Sequence, residues 1–182
     1  MGDEMSLISA LAISIGVLGG VATWLFLGPL AGGLQIWAAF IAWACFFHCG
    51  GKEAGFKATV LANIAGAVMA WLTLLAVSRG GLGESLGLPV WAGICVGVGV
   101  LVMILLANMP AFAAIPALVY GFAATAGYAL LAADGLANLT AASLGNPLVT
   151  IVLSMIAGAA FGYVSEKVAG ALVANSEARR HA

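Results

Sequence analysis

The chain has 182 residues, 64% of them hydrophobic and only 7% charged, with a formal net charge of −1. A water-soluble domain carries about 25% charged residues and could not hide this much apolar surface, so the chain requires lipid as a second apolar solvent. The near-neutral balance excludes a nucleic-acid binder, which needs a basic face, and the 25 glycines suit helices packed closely in a bilayer.

The N-terminal stretch Met1–Ser6 carries Asp3 and Glu4 but no Lys or Arg, so no cleaved signal peptide is expected. Its match to the myristoylation pattern at Gly2 is short and is read as chance. A span needs about 20 mostly apolar residues, and six such runs follow. The first is Leu7–Phe26, ended by Gly28 and Pro29. The second is Leu30–Phe47, where Gly32 and Gly33 leave room for a broken or re-entrant segment. The third is Phe56–Val77, ended by Ser78, Arg79, Gly80 and Gly81. The fourth is Leu88–Leu106, ended by Asn108 and Pro110. The fifth is Ala111–Ala132. The sixth is Pro147–Val164, ended by Ser165, Glu166 and Lys167.

Charge tests this count. Six spans put both termini on one side, together with Lys52, Lys57, Lys167, Arg179 and Arg180, and leave Arg79 alone on the other. That asymmetry predicts cytoplasmic termini by the positive-inside rule. Gly50 and Gly51 are predicted to end the second helix and supply a tight cytoplasmic turn. Lys52 and Glu53 in that turn need no chemical role.

The third and sixth runs resemble each other. Asn63–Leu72 (NIAGAVMAWL) aligns with Met155–Val164 (MIAGAAFGYV), and small residues recur every fourth position: Ala58, Ala62, Gly66 and Ala70, then Ser154, Gly158 and Gly162. Such spacing makes a flat face for close helix contact. The first and fourth runs align weakly, Gly16 with Gly97 and Pro29 with Pro110. A duplication of three spans would invert its second copy, and inverted repeats place pathways at their interface. The expected halves are residues 7–78 and 88–168, with 169–182 as a cytoplasmic tail of one membrane domain, 1–182.

Polar and aromatic groups inside the spans are the candidate sites. Cys45, His48 and Cys49 are spaced to share a helix face and are metal-ligand types. A closed zinc site needs a fourth ligand, and His181 in the tail is the only other histidine. The reading taken is an interfacial histidine with two packed cysteines and no metal; a pH-sensitive gate at His48 is the further alternative. Three cysteines do not make a disulfide framework. Asn63 is the clearest intramembrane polar residue, either an interhelical hydrogen bond or a contact in a solute pathway. Tyr120, Thr125 and Tyr128 carry the same two readings. Trp37, Phe40 and Phe47 share one face of the second span, with Trp43 pointing elsewhere; they either mark the interface or narrow a pore. No carboxylate lies deep in a span, which leans against ion-coupled transport. No nucleophile–base pair, phosphate loop or Gly-x-Ser-x-Gly element occurs, so neither an enzyme nor a cofactor is expected.

Trp37-Ala38-x-Phe40, Phe46-Phe47, Cys49 and the Gly50-Gly51 turn, followed by the third span, resemble the YcdZ-like family of small bacterial inner-membrane proteins, which bear a domain of unknown function. The resemblance implies a bacterial inner-membrane location and brings no catalytic residues with it. The expectation is an all-α integral membrane protein with six transmembrane helices and a 3+3 inverted repeat, whose partners are the lipid bilayer, a small solute and further copies of itself. Its expected role is a channel or facilitator for a small uncharged or weakly polar solute, with Asn63, Trp37, Phe40, Tyr120, Tyr128 and His48 on the pathway. The alternative is a non-transporting membrane scaffold or partner subunit.

Overall fold

The structure, a computed structural model, describes residues 5–180. Gly2 of the myristoylation pattern and His181 lie outside the described residues. Among these residues all regular elements are helical: α1 (Leu7–Leu27), α2 (Ile36–His48), α3 (Lys52–Arg79), the single turn α4 (Gly83–Leu86), α5 (Leu88–Leu105), α6 (Ile115–Leu131) and α7 (Pro147–Arg180), with short 3-10 turns between.

Local chemistry sets the ends. Ser6 caps α1 by accepting the Ser9 N–H at 3.1 Å. Gly50 and Gly51 take φ of 89° and 67°, the left-handed region that glycine enters at least cost, and reverse the chain between α2 and α3 as expected. Pro89 and Pro116 sit in the first turns of α5 and α6, where a missing N–H costs nothing. Asn146 accepts the Leu148 N–H at 2.9 Å and donates to the Leu139 and Ala141 carbonyls at 3.1 and 3.0 Å, tying the preceding loop to the start of α7.

Four helices, α1, α3, α5 and α7, are long and apolar enough to cross a membrane, so this is a membrane protein. The expected second and fifth spans form shorter apolar helices. Residues 28–34 are turns, so α2 starts at Ile36 and not at Leu30; its 13 residues reach about 20 Å, short of a hydrocarbon core of about 30 Å. Gly32 adopts a φ of 76° in this stretch, which no helix accommodates. The sixth run ends as a helix not at Val164 but at Arg180: no Pro follows Pro147 in it, and Ser165, Glu166 and Lys167 continue the helix, Ser165 donating its hydroxyl to the Gly162 carbonyl.

Helices α3 and α7 pack on each other at the centre. Helix α3 also packs on α6 and α5, while α7 packs on α2 and α1. Glycines set the two closest crossings. A methyl group on Gly66 would strike the Leu118 backbone and one on Gly121 the Asn63 backbone, so α3 and α6 touch main chain to main chain. Gly158 meets Ala39 on α2 in the same way. The contacts also give directions. Met5 donates its N–H to Ser176 Oγ at 3.4 Å, joining the start of α1 to the end of α7. Lys52 donates its N–H to Glu166 Oε2 at 2.8 Å. At the other end Arg79 donates to Thr140 Oγ1 at 3.0 Å, and the Gln35 N–H donates to Ser154 Oγ at 2.8 Å.

Candidate functional site

Four of the six site residues expected from sequence, Trp37, His48, Tyr120 and Tyr128, fall along the seam between α2 and α6, two helices that both pack on the α3–α7 pair; Asn63 on α3 and Phe40 do not. On α2, Trp37, Ile41, Cys45 and His48 recur at helical spacing. On α6, Tyr120, Ala124 and Tyr128 do the same. At one end a cavity of about 320 Å³ is lined by His48, Cys49 and Ala58 with Pro110, Ala111, Ala113, Ala114 and Pro116. At the other end a cavity of about 500 Å³ is lined by Gln35 and Trp37 with Gly127, Tyr128, Leu131 and Ala132. Between them the seam is closed by buried Ala38, Ala42, Ala124, Ile151 and Met155, against which Ile41, Tyr120 and Tyr128 pack.

The Tyr120 hydroxyl and His48 Nδ1 lie 3.1 Å apart, so one hydrogen bond ties α2 to α6 at the first cavity; the histidine tautomer decides which group donates. Cys45 is buried, and its Sγ lies 4.0 Å from that of Cys49. Among the described residues, no group of three His, Cys, Asp or Glu side chains is arranged to hold a metal ion.

Asn63 is 2% exposed. Its Oδ1 accepts from the Cys45 thiol at 3.8 Å, while its Nδ2 has no partner. Thr59, one turn earlier on α3, is fully buried with only the Cys45 sulfur beside its hydroxyl, and Thr125, one turn beyond Gly121 on α6, is fully buried with an unpartnered hydroxyl. Phe40 does not share the seam with the other residues of the expected pathway. It stacks on Trp43 (ring centroids 5.6 Å apart, planes 9° apart) and reaches toward Gly19 of α1. Helix α2 turns Cys45 toward α3, and Phe40, five residues earlier, falls on the opposite face. Trp43 is buried against α7, stacked on Phe161 and donating its indole N–H to Ser165 Oγ at 3.0 Å. Thr59, Gln35 and Ile41 escaped the sequence reading. Thr59 was detectable as a hydroxyl four residues before Asn63; Ile41 carries no signal in so apolar a run.

The profile of a family described as a protein of unknown function (DUF1097) matches residues 12–170, nearly the whole bundle. The chain belongs to this family. The match bears out the expectation of a family with no assigned activity. No curated protein and no solved structure matches the chain.

Proposed function

We propose that this DUF1097 protein crosses the bacterial inner membrane six times, as a 3+3 inverted repeat with both termini in the cytoplasm. The packing supports this reading. Helices α1, α2 and α3 correspond to α5, α6 and α7: α3 packs on α6 and α5, as α7 packs on α2 and α1. The aligned glycines Gly66 and Gly158 each meet backbone of the other half, at Leu118 on α6 and at Ala39 on α2. Contacts that tie Met5 to Ser176 and Lys52 to Glu166 gather the termini and the α2–α3 turn at one end, where Lys52, Lys57, Lys167 and Arg179 also lie. Short α2 and α6 at the repeat interface are where such folds carry their pathways.

The function supported best is passive facilitation of a small uncharged or weakly polar solute along the α2–α6 seam. The observation that carries it is the pair of cavities at opposite ends of that seam, one beside His48 and the other beside Trp37 and Tyr128, with Tyr120 packed on the closed stretch between them. Aromatic rings and one imidazole suit a neutral solute, and the seam presents no fixed charge to an ion. The buried centre of the seam favours a second reading, a non-transporting scaffold. Self-association belongs to the proposal as well, because the apolar flanks of α1 and α5 are largely uncovered.

The test is swelling of proteoliposomes in glycerol or urea. Wild-type protein should exceed empty liposomes. Tyr128→Trp, which adds bulk beside the larger cavity, should lower the rate. No excess for any solute or for water would leave the scaffold reading.

A further inference from the structure

The repeat supplies an internal comparison for its own polar residues. An offset of 92 residues carries α3 onto α7, placing Gly66 on Gly158, Thr59 on Ile151 and Asn63 on Met155. The matching crossings at Leu118 and Ala39 set an offset of 79 for α2 onto α6, placing Cys45 on Ala124 and Ala42 on Gly121. The pairing is self-consistent: Gly121 abuts Asn63, and the repeat-related Ala42 and Met155 share one buried cluster. Cys45, Thr59 and Asn63 therefore occupy the places that Ala124, Ile151 and Met155 hold in the other half. One half is polar there; the other is wholly apolar and equally buried.

This difference bears on why the polar groups exist. The fold does not need them, since Ile and Met serve the same crossing. They are not simple interhelical glue either. The Asn63 Nδ2 is buried without a partner, and the buried Thr59 hydroxyl has only the Cys45 sulfur beside it, an unfavourable state in a bilayer where no water compensates. A polar group kept at a cost, where an apolar one is known to fit, points to a ligand.

We infer that Cys45, Thr59 and Asn63 form a binding site for a small, uncharged molecule that accepts hydrogen bonds through a carbonyl or hydroxyl oxygen. The inference rests on the facilitator reading and names the solute's chemistry. Asn63 Nδ2 offers two N–H donors, and the Thr59 hydroxyl donates or accepts. With no charge among the three, an ion would lose its hydration without compensation. The polar atoms are closed off in this structure. Entry therefore requires α2 to part from α3 and α6, which breaks the His48–Tyr120 hydrogen bond at the edge of the smaller cavity.

The opposite half prescribes the variant: Thr59→Ile with Asn63→Met. Urea, glycerol and water are the probes, measured by proteoliposome swelling. In parallel, Cys45 is reacted with methyl methanethiosulfonate in a Cys49→Ala, Cys95→Ala chain. The double variant should fold with a thermal midpoint at or above that of the parent. Uptake of urea or glycerol should fall about tenfold or more, the worth of a lost buried hydrogen bond, and Cys45 labelling should slow by a similar factor. A fall in water permeation alone would mean that the site holds only water and would overturn the solute assignment. Unchanged uptake in the variant, or a parent Cys45 that never reacts, would overturn the site. If the parent moves no probe but its Cys45 reacts and the reaction slows in the variant, the site stands and the facilitator reading falls. Should the double variant fail to assemble, Thr59→Val removes the hydroxyl at nearly constant shape and carries the same test.

Discussion

The crossing of α3 and α6 predicts opposite outcomes for one chemical change at two glycines. In Gly66→Ala the new methyl carbon would lie 2.8 Å from the Leu118 carbonyl carbon and 2.9 Å from the Phe122 nitrogen, besides striking the Leu118 oxygen. These are backbone atoms of a helix and cannot rotate away. Overpacking costs roughly 1–3 kcal/mol, and a clash with main chain belongs at the upper end. Alanine returns about 1 kcal/mol through its better helix propensity. The net is a loss of about 2 kcal/mol, or about 4–8 °C in thermal midpoint for a chain of this length. Gly97 on α5 has nothing within 4 Å of the same methyl position. Gly97→Ala should therefore keep the propensity gain, raising the midpoint by about 2–4 °C. Gly121→Ala should cost about as much as Gly66→Ala, and the pair less than the sum, because both force apart the same crossing. Thermal unfolding in detergent reads all four. Equal midpoints for Gly66→Ala and Gly97→Ala would refute the close crossing.

Cysteines placed at Glu84 and Asn138 in a chain lacking its native cysteines should react with an impermeant external reagent, and one at Lys52 should not; external labelling at Lys52 would remove the six-crossing topology. Glu166→Ala strips the carboxylate that accepts the Lys52 N–H at the start of α3 and should cost about 1 kcal/mol, a capping-sized loss; an unchanged midpoint would show the contact to be neutral. Ser165→Ala leaves the buried Trp43 indole N–H without its acceptor and should cost about 1–3 kcal/mol by the same measurement, whereas a stable variant would mean that the indole finds another partner. Purified protein should carry no equimolar zinc or copper by elemental analysis; a tight one-to-one content would mean that Cys45, His48 and Cys49 reorganise around a metal.

Hydropathy revealed the helices because lipid selects long apolar runs wherever they occur. The starts of α1, α5 and α7 agree with that pattern, since Ser6, Pro89 and Pro147 act within one turn of chain. The start of α2 does not, because Leu30 and Leu34 are apolar whether or not their backbone is helical; only the turn at Gly32 and Gly33 separates the cases. The fourfold spacing around Gly66 showed that a close contact exists, but not that α6 supplies the other side. Spacing along one helix carries no information about which helix lies opposite. The same gap explains Phe40: its aromatic character was evident, whereas its direction depends on how α2 is rotated between α7 and α3. Asn63 was legible as a polar residue in an apolar run. That its Nδ2 lacks a partner is a property of three helices together.

The packing of α2 on α7 has a consequence for biogenesis. The contacts that hold α2 join residues more than a hundred positions apart: Gln35 with Ser154, Trp43 with Ser165. Helix α7 leaves the ribosome well after α2, and at typical synthesis rates those partners arrive on the order of ten seconds later. During that interval α2 is too short to be a comfortable span and lacks the neighbour that later buries Trp43. Insertion machinery or a membrane chaperone would have to shelter it, and a chain truncated before Pro147 should be a substrate for membrane quality-control proteases.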